Sequence, residues 1–377
     1  MARVLILSKN YPARVSSGEF LRYHNYCRQL AEHHECYLVS FDERDFEPDA
    51  KQELGVIEWR ILPPAPRQGR SRRRLLRLSN ANLMRLSVPD YLANTRQIVR
   101  DLCERWDIDL IFCLSPGIAE VIIDLDLPKI LDYCDSGTLT MQRALANRKS
   151  EFSLLQKAAF HLRKLRQSSL ERAFLSAFDC TTTISGADKE SFLEVSGIAP
   201  EKVEVVPNGV ADEALAAGNV KRERQRSVVF WGNLDFPPNW TAVKYFHENI
   251  YVPYLARENI EWHIYGRGAP ESIQRITEQD GVTLHGFVDD LFAAVAGHGV
   301  MINPMVEGSG LKNKVLEAFA CRVPVVSTPL GIEAIDAMPG RHYVKADSPG
   351  DFAEAVTSLL SDPAYASEIA EAARLLM

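Results

Sequence analysis

Short, almost unbroken apolar runs alternate with longer stretches of helical period along most of this chain. Val4 to Leu7, Cys36 to Phe41, Val56 to Leu62, Leu110 to Leu114, Lys129 to Tyr133, Cys180 to Ile184 and Val203 to Val206 are each too short for a helix. The more continuously apolar among them, such as Val4 to Leu7 and Leu110 to Leu114, fit strands buried on both faces, as in a parallel sheet covered by helices. Helical patterns such as Phe20 to Ala31 and Ser153 to Ser176 lie between them, the rhythm of a doubly wound βαβ domain. A second series of strands is expected at Ser227 to Trp231, Glu261 to Tyr265, Val282 to Leu284, Val300 to Ile302, Val325 to Ser327 and His342 to Val344.

Between the two series, Pro207-Asn208-Gly209-Val210 reads as a turn and Ala211 to Arg226 as a polar linker. The expected organisation is an α/β domain over 1–207, a hinge and linker over 208–226, and a second α/β domain over 227–377, with the site in the cleft between them.

The densest chemistry lies in Val306-Glu307-Gly308-Ser309-Gly310-Leu311-Lys312-Asn313-Lys314-Val315-Leu316-Glu317-Ala318-Phe319-Ala320, closed by Pro324-Val325-Val326-Ser327-Thr328. A strand ends, glycines free the backbone to turn, and an amphipathic helix opens, a setting that favours an anion at the helix N-terminus. Lys312 and Lys314 bring mobile positive charge for a diphosphate, and Glu317, one turn into the helix, is placed to accept hydrogen bonds from sugar hydroxyls. Gly-Ser-Gly before a helix is more often ordinary loop chemistry, and neighbouring lysines are usually solvated. The glutamate sharpens the reading, because a carboxylate inside Val-Leu-Glu-Ala-Phe-Ala needs a partner when buried.

The stretch from Gly308 to Thr328 resembles the donor-site signature of the retaining GT-B glycosyltransferases of the group 1, or GT4, type. Trp231-Gly232-Asn233-Leu234-Asp235-Phe236-Pro237-Pro238-Asn239-Trp240-Thr241-Ala242-Val243-Lys244-Tyr245-Phe246 and Leu284-His285-Gly286-Phe287-Val288-Asp289-Asp290-Leu291 are similar to two further segments of that family, in the same order. The subset most resembled includes bacterial transferases tied to exopolysaccharide systems. The resemblance implies a GT-B fold of two Rossmann-like domains facing each other across a cleft. It also implies transfer of a sugar from a UDP- or GDP-sugar to a glycan or lipid-linked acceptor in polysaccharide or glycoconjugate synthesis.

Carried over residue by residue, the resemblance puts Gly18, Gly232, Asn233, Arg267, Phe287, Val288, Gly308, Ser309, Gly310, Leu311, Lys314 and Glu317 at the donor, with Glu317 on the ribose. Arg22, one turn beyond Gly18, is within reach of an anionic acceptor or can serve as an ordinary salt-bridge partner. Asp135 stands where many relatives carry a histidine, at the C-terminal end of a strand, and is expected either to face the acceptor hydroxyl or to cap the next helix. Asp132 points to the other side of an extended segment.

The chain departs from the family pattern at three points. Asn233 stands where relatives place an arginine, the usual lysine position falls near Pro238 or Asn239, and nine residues rather than seven separate Glu307 from Glu317. The diphosphate charge must then be met elsewhere, by Lys312 foremost, with Lys314, Arg267 or Arg22 as further sources. Asp135, Lys312 and Glu307 form the expected catalytic set, and Lys312 is expected to outweigh Lys314.

In the front-face displacement pictured for this family, the departing diphosphate takes the acceptor proton. The protein stabilises the developing charge, and paired glycosidase carboxylates are not needed. No DxD-type metal-binding carboxylate motif compels a divalent ion, and the resemblance implies neither a cofactor nor an obligatory metal. Two other classes fit the same features: a nucleotide-sugar epimerase of related GT-B architecture, and a nucleotide-sugar-binding module without turnover.

Composition adds location and surface. The net charge is −7, but residues 211–377 hold 14 Lys/Arg against 22 Asp/Glu, leaving 29 against 28 in residues 1–210. Arg60 to Arg85 contains eight arginines and no acid, and Arg70 to Arg77 is interleaved with leucines. That stretch is read as a solvated loop and helix or as a contact to an anionic membrane surface, while nothing resembles a nucleic-acid module. The seven cysteines are scattered without a Cys-x-x-Cys pair, which argues against a disulfide or zinc framework. Ser8-Lys9-Asn10 cuts the first apolar run too short for a signal peptide, and no run is long enough to span a bilayer. The expected location is cytoplasmic, either free or peripheral at the inner face of the cytoplasmic membrane. The last residues, Arg374 to Met377, fall near where relatives add a final helix, so a short member or a truncated chain is expected.

Overall fold

The structure, a computed structural model, describes residues 1–10, 18–42, 50–66, 84–147, 154–308 and 310–377. Two units are evident, Met1–Asn208 and Gly209–Met377. Each has its own sheet.

In the first unit seven parallel strands, β1 (Arg3–Ser8), β2 (Glu35–Phe41), β3 (Glu58–Leu62), β4 (Leu110–Cys113), β5 (Lys129–Cys134), β6 (Cys180–Thr183) and β7 (Val203–Val205), lie in the order β3-β2-β1-β4-β5-β6-β7. The order reverses at β1, the switch point of a doubly wound sheet. The helices used below are α1 (Gly18–Ala31), α2 (Pro89–Trp106), α3 (Gly137–Asn147), α4 (Leu154–Ala177) and α5 (Gly186–Ser196). Alternation along β1 sends Leu5 and Leu7 into the core with Val99 and Leu102 of α2 and Phe174 of α4, and Val4 and Ile6 into the core with Tyr23 and Cys27 of α1.

The second unit repeats the plan with β8 (Gln225–Trp231), β9 (Glu261–Tyr265), β10 (Val282–Gly286), β11 (His298–Asn303), β12 (Val325–Ser327) and β13 (Val344–Lys345), in the order β10-β9-β8-β11-β12-β13. Here the reversal falls at β8. Its helices include α6 (Asp212–Asn219), α7 (Pro237–Phe246), α8 (Asn313–Ala320), α9 (Pro349–Ser361) and α10 (Pro363–Leu375). Val228 and Phe230 of β8 pack with Phe246 of α7 and Phe352 of α9 on one face. Val229 and Trp231 face the other way, toward Val315 and Phe319 of α8. The fold class is therefore the expected one, two Rossmann-like α/β sheets of doubly wound type.

One segment differs from expectation. The stretch expected as a polar linker contains α6, because Ala214, Ala217 and Gly218 give it a small-residue face that lies flat on the end of α8. A Cβ at Gly218 would stand 2.2 Å from the Ala320 carbonyl oxygen, so the contact depends on glycine.

Candidate nucleotide site at the end of β8

The C-terminal ends of β8, β9 and β10 are laced together beyond the last strand residues. Gly232 N–H donates to Tyr265 O, Gly266 N–H to Gly286 O, and Leu234 N–H to Arg267 O, at 2.8 to 3.0 Å. The backbones meet so closely that a Cβ on Gly266, whose φ is 151°, would lie 1.9 Å from the Gly232 carbonyl oxygen. This crossing fixes where Gly232, Asn233 and Arg267 sit. Arg267 and Phe287 are exposed, and Val288 packs onto the α8 side of the sheet.

The β11 side supplies the glycine loop and α8. Gly308 and Gly310 have φ of 108° and 71°, backbone that favours glycine, and the Gly308 position lies against Pro238 of α7. Thr241 of α7 donates to Glu307 Oε1 at 2.8 Å, pinning that carboxylate to α7. Ser309 lies outside the described residues. Leu311 and Lys312 are half-buried, and Lys312 precedes the helix and donates through Nζ to Gly310 O at 2.7 Å.

Two residues of α8 point back at β8. Glu317 Oε2 accepts from Trp231 Nε1 at 2.6 Å, and no hydrogen bond reaches Oε1 from the described residues. Burial raises the Glu317 carboxyl above the usual range, against the pull of the Trp231 N–H and of Lys314. Lys314 is 9% exposed, donates to Asn239 Oδ1 at 2.6 Å and stands 4.1 Å from the centre of the Phe230 ring. Burial, reinforced by Lys312 and partly offset by Glu317, lowers its pKa to about 7. Asn239 Nδ2 in turn donates to Asn233 O at 2.8 Å, so the amide ties the lysine to the β8 loop.

Beneath the β9 and β10 loops lies a stack of rings. His285 lies flat on Tyr265 with centroids 4.3 Å apart, His263 and His285 share a 2.8 Å hydrogen bond, and buried His298 packs 4.6 Å from His263. Ser227 and Tyr265 hydroxyls bond the two His298 nitrogens at 2.8 and 3.4 Å.

The remaining candidates belong to the first unit. Gly18 opens α1. Arg22 is 6% exposed and all five of its N–H groups are used internally. Nε and Nη2 hold Asp132, Nη2 also meets Tyr26 Oη, and Nη1 donates to Val206 O and Asn208 Oδ1, at 2.6 to 3.2 Å. Although burial pulls the guanidinium down, the Asp132 hydrogen bonds and charge outweigh it and raise its pKa. The geometry is that of an internal brace, with no N–H left over for an acceptor. Asp135 is exposed after β5, and the cap of α3 is its neighbour: Ser136 Oγ accepts from Leu139 N–H at 3.1 Å, while Ser136 N–H donates to Asp188. Arg70 to Arg77 lie outside the described residues, and no described helix is long and apolar enough to cross a membrane.

Sequence reasoning assigned no role to Trp231, Asn239, Thr241 or Asp132, the last set aside as pointing to the other side of its strand. Alternation along β8 already placed Trp231 on the face that meets α8, a usable signal. Nothing local marks the other three.

Residues 225–362 match the sequence profile of the family described as "Glycosyl transferases group 1". Over 154 residues the chain is 29% identical to an "Uncharacterized 44.6 kDa protein in cps region" of Klebsiella pneumoniae, covering 38% of this chain and 39% of that protein. The chain thus spans well under half the length of that curated relative. Among solved structures it is similar to sucrose-phosphate synthase from Thermosynechococcus elongatus, with TM-score 0.68, 15% identity, and 100% and 94% of the two chains covered. Anabaena HepE in complex with UDP and glucose gives TM-score 0.63 at 13% identity, again covering 100% and 94%. TarM from S. aureus, in a complex that includes UDP, gives 0.67 at 10% identity over 100% and 96%. At such identities the structural likeness shows the fold. The chain has the GT-B fold, and its second unit matches the glycosyl transferases group 1 family over residues 225–362.

Proposed function

We propose that this protein is a glycosyltransferase that moves a sugar from a UDP- or GDP-sugar to a glycan or lipid-linked acceptor in bacterial polysaccharide or glycoconjugate synthesis, with retention of anomeric configuration. One observation carries the reading. Within the segment that matches the transferase family, Glu317 and Lys314 stand one helical turn apart on α8 and both reach the end of β8, beside Gly308 and Gly310. A carboxylate with one oxygen anchored and one without a hydrogen bond from the described residues suits a ribose diol, and the cationic helix start suits a diphosphate. HepE has been seen with UDP-glucose, which supports a nucleotide-sugar donor here. Phe287, Val288 and Arg267 are proposed for the base side, Gly18 for the phosphate side, and Asp135, Glu307 and Lys312 for the reacting end.

The reaction asks little acid chemistry of the protein. Charge builds on the leaving diphosphate, and the glycine loop at the cationic start of α8 is proposed to stabilise it in place. Asp135, at the C-terminal end of β5, is proposed to receive the acceptor hydroxyl. The proposed location is cytoplasmic, with an anionic membrane surface met through Arg70 to Arg77.

Calorimetry and thermal shift with UDP, GDP, ADP and their sugar conjugates test this reading. Wild type is expected to bind one nucleotide selectively and Glu317→Ala to bind it about 10-fold or more weakly, the worth of a charged hydrogen bond to a hydroxyl pair. Absence of binding to any of them would refute the proposal, and conversion of the sugar nucleotide without an acceptor would turn it into an epimerase.

A further inference from the structure

Lys314 is a buried cation whose hydrogen bonding is incomplete among the described residues. Its ammonium has three N–H groups, and among the described residues they find one amide oxygen, Asn239 Oδ1, and the face of the Phe230 ring. No carboxylate lies within ion-pair distance of it among the described residues. An ammonium only 9% exposed and lacking an anion is costly, and the cost is removed when an anion arrives. The space for that anion is marked by Gly232, where a Cβ would stand 3.2 Å from Nζ and 2.9 Å from Asn239 Nδ2. A side chain there would crowd the amine. Lys312, by contrast, donates to the carbonyl of its own loop at Gly310.

We propose that Lys314, rather than Lys312, makes the charged contact to the donor diphosphate, and that Asn239 is the positioning residue that holds its amine beside Gly232. This rests on the transferase reading and names the group that replaces basic side chains absent from the β8 loop. The charged groups acting on the amine are Lys312, just before α8, and Glu317 of α8; β8, its following loop and α7 present Phe230, Gly232 and Asn239, which carry no charge. With its pKa lowered to about 7, the amine is only partly protonated in the empty site at neutral pH, and a diphosphate brought against it raises that pKa again. Diphosphate binding therefore takes up a proton, and affinity for the diphosphate falls as pH rises past neutrality.

Calorimetry at pH 7.5, in two buffers of different ionisation enthalpy, compares UDP with uridine, or GDP with guanosine if the nucleotide screen selects that base. Wild type is expected to bind the diphosphate more tightly than the nucleoside, with net proton uptake relative to Lys314→Met. That variant should lose about 10- to 100-fold in diphosphate affinity, no proton uptake should remain, and nucleoside affinity should be unchanged. Lys314→Arg should keep part of the affinity without uptake, since a guanidinium does not titrate. Asn239→Ala, the safeguard should Lys314→Met fail to fold, should move the pH midpoint of diphosphate affinity and leave nucleoside affinity alone. Diphosphate binding by Lys314→Met equal to wild type, equal losses for diphosphate and nucleoside, or a larger loss in Lys312→Met would each overturn the inference. Wild type binding neither ligand would instead count against the transferase reading itself.

Discussion

Replacing Arg22 by methionine separates two roles for one side chain. The structure makes it a brace: its five N–H groups bridge α1, the Asp132 carboxylate of β5, and the last residues of the first unit at Val206 and Asn208. Asp132 is fully buried, and without the guanidinium its remaining partners among the described residues are Thr182 Oγ1 at 2.6 Å, Cys134 Sγ at 3.2 Å and a marginal Tyr26 Oη at 3.5 Å. A buried carboxylate left without its cation costs about 3 to 5 kcal/mol. Arg22→Lys keeps the charge but cannot span the same acceptors, and should cost about 1 to 3 kcal/mol. Because the chain has two units, the loss is best read locally, as faster hydrogen exchange of α1 and β5 amides, alongside a urea titration. Arg22→Met combined with Asp132→Asn should lose less than the sum of the singles, since the second change removes the stranded charge. Arg22→Met within about 1 kcal/mol of wild type would refute the brace. Such a variant that lost sugar transfer alone would restore the acceptor role read from the sequence.

Two further predictions follow from the second unit. His298, held to a pKa of about 4 against the usual 6.5 by burial and then by His263 and His285, binds no proton between those values in the folded state, whereas the unfolded chain does. Stability should therefore be complete above about 6.5 and fall as pH drops toward 4, by roughly 3 kcal/mol at most, and His298→Gln should flatten that part of a urea midpoint against pH curve. An unchanged slope in the variant would discount His298. Gly266→Ala forces a Cβ to within 1.9 Å of Gly232 O and should cost at least about 1 to 3 kcal/mol while weakening nucleotide binding; wild-type stability and affinity would mean the crossing yields freely.

Much of this architecture is legible in the residues because parallel strands must be apolar on both faces. Each of the 13 strands among the described residues stands where the sequence predicts one, with ends shifted by a residue or two. Helix α8 was equally readable from its amphipathic period, and Glu317 from its oddity inside that period. The linker helix α6 was not, because alanines and glycine carry no periodic signal until the surface they fit is known. Side-chain partnerships were the least legible. Arg22 finds Asp132 110 residues away and Val206 184 away, and Lys314 finds Asn239 at a distance of 75. Only the strand order brings these groups together, so a pattern within one segment cannot distinguish a brace from a ligand-binding arginine. Likewise, Glu317 needed a partner by any reading, and the protein supplies one of its own in Trp231.

That last contact gives the molecule an optical handle. The indole of Trp231 is almost wholly buried, and its N–H ends on the carboxylate proposed to meet the ribose. Indole emission responds to the charge and hydrogen bonding at its nitrogen, so occupancy of the Glu317 carboxylate is transmitted to a chromophore one bond away. Of the five tryptophans in the chain, Trp231 is the one hydrogen-bonded to this carboxylate, and the proposed nucleotide site thus carries a built-in reporter that needs no label.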